Sequence, residues 1–108
     1  MNKIKKQISE RIKQEIDNNP IDNWHGITID NIEKHLVSPV SEIYFDPMDE
    51  TITHKYWTVL EEYSEEKSGY TIFFDSNENE FGLGMHGKSN QMISLGIYGS
   101  FIDALNGM

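Results

Sequence analysis

The spacing of apolar residues changes from about four to two near Pro39, and that change limits what the chain can fold into. Upstream, Ile4, Ile8, Ile12 and Ile16 recur every fourth residue. Over four turns this spacing makes one slanted apolar stripe on a helix, and the intervening Lys, Gln and Glu favour helix. Asn18, Asn19 and Pro20 end it. Trp24 to Gly26 reads as a connection. A short second helix follows, with Asp30 as N-cap and Glu33 at N3, a pair that satisfies free backbone donors reciprocally. Ile32 and Leu36 lie one turn apart on its buried side, and Pro39 ends it because the residue before a proline resists α geometry.

Downstream the period is two. Ile43 to Phe45 forms a short strand candidate, and Thr53 to Tyr63, Tyr70 to Phe74, Phe81 to Met85 and Met92 to Tyr98 follow it. The polar connections between these runs have the length of hairpin turns, which predicts an antiparallel meander. The chain then returns to helix: Ser100 caps, Asp103 sits three residues on, and Phe101, Ala104 and Leu105 make one apolar face. The expected fold is α+β, with N-terminal helices plus a four- to five-stranded mainly antiparallel sheet and a short C-terminal helix. It forms a single domain over residues 1–108, with helices over one face of the sheet.

Charge is distributed unevenly. The net charge of -9 sits in residues 42–80, which hold eleven acids against two bases, while the flanking segments balance. A field of one sign repels a phosphate backbone and attracts a basic surface, which argues against direct nucleic-acid binding. The acids expected to meet a partner are Asp46, Asp49, Glu50, Glu62, Glu65, Glu66, Glu78 and Glu80, with Tyr63 as the partly exposed aromatic among them. The first sixteen residues are charged and lack the continuous apolar stretch of a signal peptide or membrane span, and there is no cysteine. The expectation is a cytoplasmic protein without disulfides and without membrane contact.

The patterns that carry chemistry are weak. Asp75, Asn77 and Asn79 match the first positions of a calcium loop, but Glu80 stands where glycine is needed and His86 where the bidentate glutamate belongs. His25, His35, His54 and His86 show no metal-ligand spacing. No nucleotide loop or hydrolase nucleophile motif is present. We therefore expect no cofactor, no metal and no catalysis. If catalysis occurred, Glu61 would be the acid–base candidate because it shares a strand face with Trp57 and Val59. Gly82 and Gly84 leave a bare strip on one strand face, to be filled either by the protein's own side chains or by a ligand.

Across residues 55–107 the chain carries an aromatic strand, Trp57-Thr58-Val59-Leu60-Glu61-Glu62, then Gly69-Tyr70-Thr71-Ile72-Phe73-Phe74-Asp75, Phe81-Gly82-Leu83-Gly84, and Gly96 through Leu105. In these segments it resembles the small acidic immunity proteins of bacterial polymorphic and contact-dependent toxin systems. The resemblance implies binding and neutralising a cognate protein toxin inside the producing cell, without turnover. Many such toxins are nucleases with basic clefts, which suits a carboxylate-rich inhibitor. Two other functions remain open. One is a regulatory or scaffold binding module, homodimeric through a sheet edge or the Ile4–Ile16 helix face. The other is a small-molecule site at the glycine strip, signalled by a pocket where Glu61 and His86 converge.

Overall fold

The computed structural model describes residues 3–108. Helix α1 spans Lys3–Asn18 and a four-residue helix, α2, spans Ile32–His35. Five strands follow: β1 (Leu36–Phe45), β2 (Thr53–Tyr63), β3 (Ser68–Asp75), β4 (Glu80–His86) and β5 (Met92–Gly99). A single 3-10 turn at Lys88–Asn90 precedes β5, and α3 (Phe101–Asn106) closes the chain. The expected α+β arrangement is what forms, with every consecutive strand pair antiparallel.

The sheet does not stay open. In an up-and-down meander of five strands the first and last run the same way, so closure must be parallel. It is: β1 meets β5 through Tyr44↔Met92 and Phe45↔Ile93, and the sheet becomes a barrel. Closure divides the apolar residues into two clusters. The outer face of the barrel carries Val59, Leu60, Ile72, Phe74, Phe81 and Leu83, covered by Ile8 and Ile12 of α1 and by Phe101, Ile102, Ala104 and Leu105 of α3. The inner cluster is Tyr44, Tyr56, Phe73 and Met92. Its rings pack at short range, with Tyr56 stacked on Phe73 at 4.1 Å between centroids.

The helices are fixed by contacts distant in sequence. The Arg11 guanidinium lies 4.9 Å from the Phe81 ring centroid and donates to the Asn79 carbonyl oxygen at 3.0 Å. At the start of α3, Ser100 accepts from the Asp103 N–H at 3.0 Å, as the capping pattern predicts, and the Glu15 carboxylate accepts from the Ile102 N–H at 3.1 Å. Two otherwise orphaned donors are thereby satisfied, with a negative charge at the positive end of the helix.

Three expectations are corrected. Asp30 does not cap α2; Asn31 is the residue before its first turn, and the Asn31 amide serves the preceding loop instead, accepting from the Thr28 N–H and donating to the Gly26 carbonyl. Pro39 does not end a helix. It is buried inside β1, within the irregular stretch between Leu36 and Val40, where its missing N–H costs no ladder bond. The first strand therefore begins at Leu36, seven residues before the apolar run at Ile43. Finally, β2 carries a bulge between Thr58 and Leu60. Past the bulge the faces exchange, so Glu61 pairs with Thr71 on the inner face and does not share a face with Trp57 and Val59.

Candidate functional site

Two adjacent glutamates end β2, and both are buried: Glu61 is 6% exposed and Glu62 is 5% exposed. A carboxylate removed from water needs partners, and each has found a histidine. The Glu62 side chain takes the outer face. Its Oε2 lies 2.9 Å from His25 Nδ1 and its Oε1 accepts from the Tyr70 N–H at 3.1 Å. His25 also sets its ring edge-on to Tyr70, and His35 Nδ1 lies 3.0 Å from the Glu62 carbonyl oxygen. These bonds pin the connection between α1 and α2 against the end of the barrel.

Pinning His25 brings its neighbour Trp24 to the corner where β2 turns into β3. Trp24 is 84% exposed there and Tyr63 is 50% exposed, with Glu65 and Glu66 exposed in the turn that follows. Large exposed aromatics beside exposed acids have the make-up of an interface anchor with a polar rim. Trp24 carried no signal in the sequence beyond lying in a connection. Its placement depends on His25 meeting Glu62, a contact spanning 37 residues.

The other predicted contact residues do not join this corner. In an antiparallel meander, alternate connections lie at opposite ends of the barrel, so Asp46, Asp49 and Glu50 share one end with Glu78 and Glu80, opposite Glu65 and Glu66. Several acids at that end shape turns. Asp46 accepts from the Met48 and Asp49 N–H groups, and Asp75 from those of Asn77 and Glu78. Asp49 accepts from both the side chain and the N–H of Thr51, and these bonds hold its carboxyl below the usual range. Glu62, expected at the surface, is inside. The carboxylates thus form two separate groups, one at each end of the barrel, and no single acidic face.

Glu61 belongs to the barrel interior. Its Oε1 lies 2.8 Å from His86 Nε2 and 3.7 Å from Lys67 Nζ. His86 and Lys67 border a cleft of about 510 Å³ at the seam, together with Glu42, Phe45, Gln91 and Met92. A carboxylate that orients an imidazole beside a cleft can support proton transfer. Deeper in, the Tyr44 hydroxyl bonds Thr58 Oγ1 at 2.7 Å and Thr71 Oγ1 at 3.1 Å. Burial pushes that phenol well above its ordinary value; the two threonine bonds act against the rise, and the charges of Glu42 and Glu61 add to it. The glycine strip is filled. A side chain at Gly82 would strike the Phe73 ring, and one at Gly84 would meet the Tyr44 ring at 2.7 Å.

Among the described residues no group of three or more His, Asp or Glu side chains gathers as a metal site, and no helix is long and apolar enough to cross a membrane. Compared with protein-family models, with curated proteins and with solved structures, the chain finds no match in any of the three.

Proposed function

We propose that this chain is a non-catalytic protein-binding module that neutralises a cationic protein toxin in the cytoplasm, with Trp24, Tyr63, Glu65 and Glu66 as the contact surface. The observation that carries the reading is the exposure of Trp24 and Tyr63 on either side of the half-buried His25–Glu62 bond. An exposed tryptophan loses little side-chain entropy on binding and contributes a large contact area, which is why such residues dominate interface energies. Glu65 and Glu66 add a negative rim that accelerates encounter with a basic partner. The toxin resemblance supplies the role, and the charge balance supplies the sign of the partner.

The test looks for a toxic domain encoded beside this chain and pairs the two. Co-expression should restore growth, and the purified proteins should form a stoichiometric complex whose association slows with added salt. Trp24→Ala should weaken that complex by about 30-fold or more, the usual loss at an anchor aromatic. Unchanged affinity in both Trp24→Ala and the Glu65→Lys/Glu66→Lys pair would overturn the assigned surface. Failure of the wild-type chain to protect would overturn the function.

A second reading rests on the Glu61–His86 pair at the seam cleft, which suits acid–base work on a small molecule. The filled glycine strip removes the ligand wall that this reading drew on. If a library of small amines and carboxylates leaves the NMR signals of His86 unmoved at millimolar concentration, this reading fails.

A further inference from the structure

The mouth of the barrel beside the β2–β3 turn holds two inward carboxylates, and only one of them is compensated. Glu42 stands opposite Tyr56 and two residues before Tyr44, so it shares the inner face with both. Glu61 has His86 and the Lys67 ammonium beside it. The half-buried Glu42 has neither an ion pair nor a hydrogen bond among the described residues. His86, in turn, has one ring nitrogen to spare. Its side chain is 6% exposed, and its Nε2 lies 2.8 Å from Glu61 Oε1. An ionised carboxylate only accepts, so Nε2–H donates, and Nδ1 of the neutral ring is left as an acceptor. Every buried side-chain nitrogen and oxygen among the described residues has a partner, yet Nδ1 has none. It therefore keeps contact with the cleft that His86 borders. That cleft of about 510 Å³ has room for a small ligand, and Ile43, Phe45 and Met92 give it an apolar wall.

We infer that this cleft binds a small primary amine in its protonated form, its ammonium donating to Glu42 and to His86 Nδ1 and its aliphatic stem lying against Phe45 and Met92. The amine is thus the ligand of the small-molecule reading of the Glu61–His86 pair, and it stands only if that reading does. Charge selects the class. With His86 neutral, the charges of Glu42, Glu61 and Lys67 leave one negative charge over. An ammonium cancels it, whereas a carboxylate would add to it in a partly dry site. Lys67 already brings such a group on such a stem to within 3.7 Å of Glu61. An ammonium also carries enough donors for both free acceptors, and a hydroxyl does not.

The whole chain should be titrated with n-butylamine at about pH 8, where an ordinary imidazole is neutral and an alkylamine is protonated. The His86 ring and Met92 methyl NMR signals report binding, with 1-butanol and butyrate as controls. The amine should shift both signals saturably at millimolar concentration, and neither control should. Glu42→Gln should weaken binding by about tenfold or more, the loss of one charge-assisted bond. Lys67→Met should tighten it, because Glu61 then has one cation fewer; a merely structural effect would weaken it. Nα-acetyl-lysine amide tells the source of the ammonium. If it binds as butylamine does, a lysine of a partner protein can enter; if butylamine alone binds, the cleft takes free amines. A response to butyrate and not to butylamine overturns the amine and leaves the small-molecule reading standing, and no response to either overturns both. Amine binding that Glu42→Gln leaves unchanged also overturns the assignment. Should that variant fold poorly, Lys67→Met decides, since weaker or unchanged binding there has the wrong sign.

Discussion

The two cores of this molecule solve burial differently. The outer core, between the barrel and helices α1 and α3, is aliphatic and aromatic throughout, and its polar end is the Glu62–His25 bond, with His25 partly in water. The inner core is four large side chains around hydroxyls, Tyr44 with Thr58 and Thr71, and its polar end is Glu61–His86, nearly buried at the edge of the seam cleft. The outer core gains stability from area removed from water. The inner one depends on fit and on every polar atom having a partner, so small changes there should have effects out of proportion to their size.

That contrast can be broken in graded steps. The largest loss is expected from Phe101→Ala, which empties the centre of the outer core and should cost about 3–5 kcal/mol in denaturant melts. Next is Gly82→Ala. Adding one carbon against the Phe73 ring and the Gly96 carbonyl should cost about 1–3 kcal/mol, and Phe73→Leu in the same chain should recover part of it. If Gly82→Ala is neutral, the inner core is not close-packed and the contrast fails. Glu61→Ala and Glu62→Ala sharpen it further. Both strand a partner at a cost of about 1–3 kcal/mol, with Glu61→Ala the larger because the His86 side chain is 6% exposed and that of His25 is 36%.

The sequence made much of this legible and hid the rest for identifiable reasons. The α1 stripe, strand β2 with its start and end, and the Ser100 cap are written in neighbouring residues, and each formed as read. Closure was not legible, since Tyr44 and Met92 signal nothing about each other across the intervening chain. The bulge at Val59 was also hidden, and it moved Glu61 to the inner face, because alternation assumes an uninterrupted pleat. Pro39 read as a helix stop because the irregular pairing that lets β1 hold it has no local mark. The histidine partners of Glu61 and Glu62 lie 25 and 37 residues away, so runs of acids that looked alike in sequence divided into buried, turn-forming and exposed carboxylates.

Smaller effects test the hydroxyl network and the surface. Tyr44→Phe should cost about 1–2 kcal/mol by leaving two threonine hydroxyls short of a partner. It should also change behaviour in alkali. Because burial holds the folded phenol above its ordinary value of 10.0, the unfolded chain loses this proton first. The stability tied to Tyr44 is complete below that value and declines as pH rises beyond it, by up to about 1.4 kcal/mol per pH unit. Tyr44→Phe removes that part of the slope, leaving a weaker contribution from Tyr56, which burial also raises. Smallest of all, Glu65→Lys/Glu66→Lys should shift unfolding by less than about 0.5 kcal/mol, because both side chains stand in water outside either core.

The anchoring of α1 has a consequence for the order of assembly. Its Glu15 reaches Ile102 and its Arg11 reaches Asn79, so α1 leaves the ribosome well before the strands and the helix that it packs against. Until then its isoleucines face water or a chaperone, and a sixteen-residue helix of this kind is marginal alone. Folding should therefore wait on closure of the long loop between α1 and α3, which predicts slow, late collection of α1 onto a barrel that has already formed.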